Sequence, residues 1–437
     1  MEKVEDYLLK IDFNTAGVPP EAFTAFPESF VDPIMRQEVI KMWKVGQDYL
    51  YGNVALAKHP QAEAIFRAKR IEINLEEKKV TLHTPSGLEI ETSITEFHEK
   101  DVEQIIAELS DLIFCRINNN NGKLEMESFT ALKATANIEV ANSLLQNYTP
   151  LELLTRAMGY IYHPQILAPL IPRFLSWIGG VNGFPLHVLQ LEPPNTGKTV
   201  FALRSEIAFN YEYLNEPPTL AHLVYDGKEK SLGPVFTKDG LIFDEFDKYS
   251  LQKERVQMCL DILLTGMENG RWCRGVSSAG FPIPNIRRLI PILFMGNITN
   301  AGYFISDDPK DMRKNVESML TEQWGFSTSA LVDRIAVIEA YREPIYISSC
   351  LSNQYLPDSI LRGVTSILKQ RLIPSPIDTS LSGRLQRHCD NVNAALHSLD
   401  IFLTETKVED LVLGTYPFTL KEIPNLLPKE NFITKNL

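Results

Sequence analysis

Apolar positions recur along the chain either at helical intervals or at every second residue, and the order of these stretches divides it into regions. From Pro33 to about Ala68, Met35, Val39, Met42 and Trp43 share one helical face and predict a buried helix. Arg70–Leu75 and Val80–Thr84 alternate around a charged turn and predict a β-hairpin, to which Leu88–Thr92 adds a third strand. A helix is expected from Val102 to Ile113, a solvated turn at Asn118–Gly122, and helices from Ser128 to Gln146 and from Leu151 to Tyr160. Residues 1–150 thus read as a mixed α/β domain preceded by an irregular arm, and 151–180 as a helical linker marked by Pro164, Pro169, Pro172 and Gly179-Gly180. Over 181–345 strands and helices alternate, the signature of a mostly parallel sheet. Residues 346–437 turn helical, from Asp358 to Lys369 and Leu385 to Thr404, as a lid followed by a proline-containing tail.

Three strands of the α/β region end in polar groups of defined chemistry. Leu186–Leu191 runs into Glu192-Pro193-Pro194-Asn195-Thr196-Gly197-Lys198-Thr199-Val200, a strand, loop and helix start in the layout of a phosphate-binding loop. Backbone N–H groups of such a loop (Pro194, which has none, shapes the turn; Asn195, Thr196, Gly197 and Val200 line it) converge with a helix N-terminus on a β-phosphate. Lys198 would reach the β- and γ-phosphates, and the Thr199 hydroxyl would hold Mg²⁺. Glu192 stands where such a loop has its first glycine, with Pro193-Pro194 supplying a preset turn. Gly240–Phe243 ends in Asp244-Glu245, placing one carboxylate to hold Mg²⁺ and the next to activate a water. Ile290–Gly296 ends in Asn297, whose amide can hold that water against the γ-phosphate.

Gly197-Lys198-Thr199, Asp244-Glu245 and Asn297 resemble Walker A, Walker B and sensor 1 of AAA+ ATPases. Leu331-Val332-Asp333-Arg334-Ile335 looks like the segment carrying an arginine finger, and Ser382-Gly383-Arg384 like sensor 2 in a lid packed over the nucleotide. Within that class, Leu264–Gly275, Met295–Ile298 and Asp333–Ile335 resemble the Lon-like ATPase of BREX phage-defence systems, near the minichromosome maintenance helicases. The likeness covers about residues 186 to 345. The residues after Arg384 are far fewer than a Lon protease domain needs. Pro193–Thr199 and Leu289–Asn297 also look like superfamily 3 helicases of small DNA viruses and plasmids. The resemblance implies an AAA+ P-loop core with a helical lid, ATP and Mg²⁺ as cofactors, and a homo-hexameric ring in which Arg334 acts on a neighbour's ATP. The activity implied is DNA translocation or unwinding in a defence or mobile-element replication system. The alternative is an AAA+ protein remodeller, with an aromatic pore loop near Tyr225-Asp226-Gly227 or Phe236.

Composition narrows these expectations. The net charge of -12 excludes a generally basic surface, so DNA contact would need a local patch. Arg274, Arg287 and Arg288 lie in the segment where related helicases insert a channel hairpin, and they would either form a positive collar around transiting DNA or be solvated surface arginines. Five scattered cysteines without a C-x-x-C pair support neither a disulfide frame nor zinc. An acidic N-terminus without a signal core, and no apolar run of membrane-spanning length, imply a cytoplasmic protein with no membrane partner.

Overall fold

The computed structural model describes residues 3–4, 9–10, 18, 22, 26, 33–50, 61–67, 70–74, 79–83, 89–93, 112–120, 123–131, 136–161, 164–192, 196–226, 231–246, 248–249, 253–272, 287–297, 309–340, 352, 354–379, 381 and 383–414. A short strand β1 (Leu9–Lys10) precedes helix α1 (Pro33–Leu50), whose Val39, Met42 and Trp43 close a small core with Val18, Ala22 and Ile65. Six strands follow: β2 (Gln61–Arg67), β3 (Arg70–Asn74), β4 (Lys79–His83), β5 (Glu89–Ser93), β6 (Leu112–Asn120) and β7 (Lys123–Ala131). They form one sheet in the order β2-β6-β7-β5-β4-β3, antiparallel except where β5 meets β7. The predicted hairpin and third strand are β3, β4 and β5.

Helical spacing misled in two places. Gln61–Arg67 is a strand along β6, not the end of a helix running to Ala68, because pairing with a neighbouring strand outweighs local periodicity. Ser128–Ala131 likewise belongs to β7, and the helix begins only at Ile138. Asn118–Asn120, expected in a turn, instead extend β6 against Lys123–Glu125. The helix expected from Val102 falls on residues outside those described, apart from its end, which lies in β6.

Helices α2 (Ile138–Leu145), α3 (Pro150–Ala157) and α4 (Pro164–Ile178) belong to the second core, with Pro169 and Pro172 inside α4. Strand β8 (Val188–Glu192) leads into α5 (Lys198–Phe209) and β9 (Tyr211–Leu214). One-turn helix α6 (Leu220–Leu223), the small ribbon β10 (Tyr225–Asp226) and β11 (Ser231–Leu232), and α7 (Pro234–Thr237) connect to β12 (Gly240–Phe243). Then come α8 (Lys253–Asn269), β13 (Ile292–Asn297), α9 (Pro309–Trp324), α10 (Ser329–Val332) and β14 (Val337–Ala340). Strand β15 (Gln354–Tyr355) pairs with β1, and α11 (Asp358–Gln370), α12 (Arg384–Ser398) and α13 (Glu405–Leu413) complete the described chain.

The central sheet has five parallel strands in the order β14-β8-β13-β12-β9. Both faces are covered, which is why its strands are almost continuously apolar. Val188, Ile242, Leu293, Met295 and Val337 face α4, α5 and α11, while Leu189, Leu191, Leu241, Phe243, Ile292, Phe294 and Ile338 face α8 and α9. The chain leaves β8 toward the β9 edge and then steps back strand by strand to β14. That reversal opens a crevice at the C-terminal ends of β8 and β13, where open α/β sheets take ligands. No helix among the described residues is long and apolar enough to cross a membrane.

At the other end of the sheet two histidines are sealed in. His187 accepts a hydrogen bond from the Ile292 N–H at 3.2 Å on Nδ1, and His388 Nε2 lies 3.1 Å from the Asp333 carbonyl. Burial above all pushes both imidazoles down to about 3 from 6.5. Because the unfolded chain binds protons that the folded one refuses, their contribution to stability is full above pH 6.5 and is lost as pH falls toward 3. By pH 5 the loss should reach about 2 kcal/mol per histidine. Thermal unfolding followed from pH 7.5 to 4.5 should show this slope, and His388→Gln should flatten it.

Candidate functional site

Strand β8 delivers the candidate loop to the crevice. Pro193, Pro194 and Asn195 lie outside the described residues; Thr196 is buried, and Gly197 takes a φ of 78° as it caps α5. A left-handed turn of this kind favours glycine, and it aims the first N–H groups of a twelve-residue helix into the crevice. With the helix dipole, that terminus favours an anion. Thr199 and Val200 are exposed there, whereas Lys198 is 8% exposed and folds back to donate to the Glu192 carbonyl at 3.2 Å and the Thr196 hydroxyl at 3.3 Å. Burial lowers the Lys198 pKa, opposed by the carboxylates of Glu192, Asp244 and Glu339.

Beneath the loop is a polar cluster with no access to water. Arg173 of α4 donates through Nη2 to both Glu192 oxygens, at 2.7 and 3.0 Å, and to the Thr196 carbonyl at 3.0 Å. Gln190 donates to Glu339 at 2.6 Å across the β8–β14 pair. Burial, and then the adjacent Glu192, push the Glu339 pKa well above the ordinary carboxylate range. For Arg173, the Glu192 and Glu339 charges outweigh the opposing effect of burial and raise its pKa.

Two strands away, Asp244 follows β12. Its Oδ1 accepts from the Glu245 N–H at 2.8 Å, its Oδ2 accepts from the Tyr213 hydroxyl, and its own N–H donates to the Leu214 carbonyl at 2.8 Å. Burial, then that bond to Asp244, raises the Tyr213 pKa. Glu245 has a φ of 48°, an uncommon conformation for a residue with a Cβ, and its carboxylate pairs with Lys248. Asn297 pairs in register with Glu192, so the amide strand runs directly beside the loop strand, and β12 lies next to it. Lys198, Thr199, Asp244, Glu245 and Asn297 are therefore carried to one end of the sheet by three adjacent strands. Thr199 and Asp244 bear oxygens of the kind that Mg²⁺ takes, and both Asp244 oxygens already accept hydrogen bonds, from the Glu245 N–H and the Tyr213 hydroxyl.

The later arginines lie elsewhere. Arg334 donates through Nε to the Leu264 carbonyl at 3.0 Å and through Nη1 to the Ala330 carbonyl at 2.7 Å, and its Nη2 lies 3.3 Å from Glu268. Arg384 bonds the same Glu268 and also Asp333. Buried in the same corner, Arg313 donates to the carbonyls of Val332, Ile335 and Val412 and fixes the turn bearing Arg334. All of this sits where the strands begin, since Ala336 donates to the His187 carbonyl at 2.9 Å just before β14 and β8 start. A five-residue strand separates the two ends by roughly 15 Å. Arg384, expected as sensor 2 in a lid, lies in this structure beside Arg334, both on Glu268.

The segment after α8 has the stem of a hairpin. Arg271 and Arg287 form an antiparallel bridge, Arg288 N–H donates to the Gly270 carbonyl at 2.9 Å, and Trp272 Nε1 donates to the Arg288 carbonyl at 2.7 Å. Gly266 lies so close to the Trp272 ring that an added Cβ would come within 2.3 Å of it. The Arg288 guanidinium donates to the Phe236 carbonyl at 2.6 Å and to Asp239 at 2.7 Å, so it is engaged within the chain. Arg287 is exposed, Arg274 lies outside the described residues, and Phe236 is fully buried, which removes it as a pore aromatic.

No protein-family model matches the chain. It is similar to three virus proteins. The uncharacterized protein ORF426 of Acidianus filamentous virus 1 is 27% identical over 388 residues, covering 84% of this chain and 88% of that protein. The uncharacterized protein 440 of Sulfolobus islandicus rod-shaped virus 1 is 25% identical over 403 residues, 88% of each. The uncharacterized protein ORF425 of Acidianus filamentous virus 2 is 34% identical over 215 residues, 49% of each.

Sequence reasoning missed Arg173, Tyr213 and Glu268. A lone arginine in the apolar run Ile166–Ile178 was the available signal for a buried ion pair; nothing in the local pattern marks the other two. Arg173→Met should strand the buried Glu192 carboxylate and lower stability by about 3–5 kcal/mol, read from denaturant unfolding.

Proposed function

We propose that this chain is an ATP-hydrolysing ring motor of the AAA+ type, acting on DNA. The observation that carries the reading is the convergence at one crevice of a helix N-terminus with Lys198, the Asp244-Glu245 pair and Asn297, on three neighbouring parallel strands. In this reading the α5 N–H groups and Lys198 hold the triphosphate, Lys198 swinging from its loop contacts to the phosphates. Thr199 and Asp244 would hold Mg²⁺, whose chemistry there is to neutralise phosphate charge. Glu245 accepts the proton of the attacking water and Asn297 orients that water. Placement of Arg334 and Arg384 at the opposite end supports completion of each site by a second copy of the chain, both arginines entering together. Exposure of Arg287 on a hairpin stem supports DNA over an unfolded polypeptide as the substrate, with Arg274 as its partner in the grip. Similarity to virus proteins favours a mobile-element replication role over defence.

Three assays test the proposal. Glu245→Gln should retain ATP binding and lose hydrolysis; undiminished turnover would remove Glu245 from its role. Lys198→Ala and Arg334→Ala chains should each be inactive, with arginine loss costing on the order of 10³-fold, and their mixture should regain activity because some interfaces pair two intact halves. No recovery would refute a shared site. Single-stranded DNA should stimulate hydrolysis more than duplex DNA or unfolded protein does, and Arg287→Ala should reduce that stimulation and the salt dependence of DNA binding.

A further inference from the structure

The loop after β8 lacks the glycine that opens a phosphate loop, and the glutamate in its place is fully buried. A buried carboxylate does nothing to help a chain turn, and taking it out of water is costly. Its partner shows what it does accomplish. Arg173 has 0% exposure and spends one Nη2 on Glu192 and on the Thr196 carbonyl, the two ends of the loop. Its Nε and Nη1 have no acceptor, so this arginine is poorly matched to stability alone.

The Thr196 carbonyl belongs to the same peptide unit as the Gly197 N–H. In a trans peptide the two point in opposite directions. A carbonyl pinned from beneath by Arg173 therefore turns the Gly197 N–H to the loop's other side, toward the open start of α5. Among the described residues that N–H has no acceptor. Were the carbonyl released, the peptide could rotate and withdraw the donor, with no change in the sheet or in α5.

We propose that Arg173 and Glu192 are a positioning pair that orients the Thr196–Gly197 peptide so that its N–H donates to the β-phosphate of a bound nucleoside diphosphate or triphosphate. This rests on the nucleotide reading of the crevice. Glu192 anchors Arg173, Arg173 anchors the carbonyl, and neither touches the ligand.

Replacing both members together separates positioning from stability, because apolar residues of similar volume often substitute for a buried ion pair without loss of stability. The double variant Arg173→Met/Glu192→Leu should unfold within a few degrees of the wild-type chain, yet bind Mg·ADP about tenfold or more weakly by calorimetric titration. A folded double variant with wild-type affinity overturns the pair's role while leaving the nucleotide site intact; a wild-type chain that binds no Mg·ADP overturns the nucleotide reading itself. Should the double variant fail to fold, amide exchange in the wild-type chain decides: the Gly197 N–H should become protected when ADP binds, and an unprotected Gly197 refutes the proposal.

Discussion

An arginine and a glutamate share a water-free space under the loop, and neither could stay charged there without the other. The pair couples three elements of distant sequence: α4, the end of β8 and the first turn before α5. Around it, apolar contacts fix the angle at which α4 lies on α5. Trp177 stacks on Phe201 with ring centroids 4.6 Å apart, and its Nε1 donates to Ser205 at 2.8 Å. The geometry of the loop thus depends on a helix that precedes its strand, and α4 is as much part of the crevice as the strands that end there.

The parallel sheet divides the remaining polar residues between two ends. Where strands finish, two carboxylates and an amide share one end of the sheet with a helix N-terminus; where strands begin, Glu268 and Asp333 hold two arginines. Opposite charges that would attract one another within a chain are kept apart by the length of β8. One carboxylate, Glu268, holds both arginines together, and it is partly exposed, so screening by water keeps that contact exchangeable. Arg313 differs: sunk among three carbonyls, with its pKa lowered by burial to about 10, it has a structural task.

Part of this is legible in the sequence, for a physical reason. A strand covered on both faces must be apolar, so polar residues at its end, such as Asp244 and Asn297, stand out, whereas Lys198 stands out by the Gly-Lys-Thr layout of the loop after β8. Arg334 was legible for its neighbours in sequence, but its place beside Arg384 was not, since both bond Glu268 across more than sixty residues of chain. The errors have the same origin. Gln61–Arg67 and Ser128–Ala131 were read from local periodicity, whereas their state is set by pairing with β6. Arg288 looked like a basic surface residue because Asp239, which neutralises it, lies forty-nine positions away.

Glu192 illustrates how far a motif can be read by residue type. By residue type it is a departure from the first glycine of such a loop. In the fold it ends a buried strand, and its cost is offset by an arginine that the loop also uses. The glycine of a phosphate loop solves a problem of backbone freedom, whereas Glu192 with Arg173 restrains the backbone from below and leaves the required left-handed turn to Gly197. On the nucleotide reading proposed above, holding the Thr196–Gly197 peptide in this way would exchange flexibility for a fixed direction of its N–H.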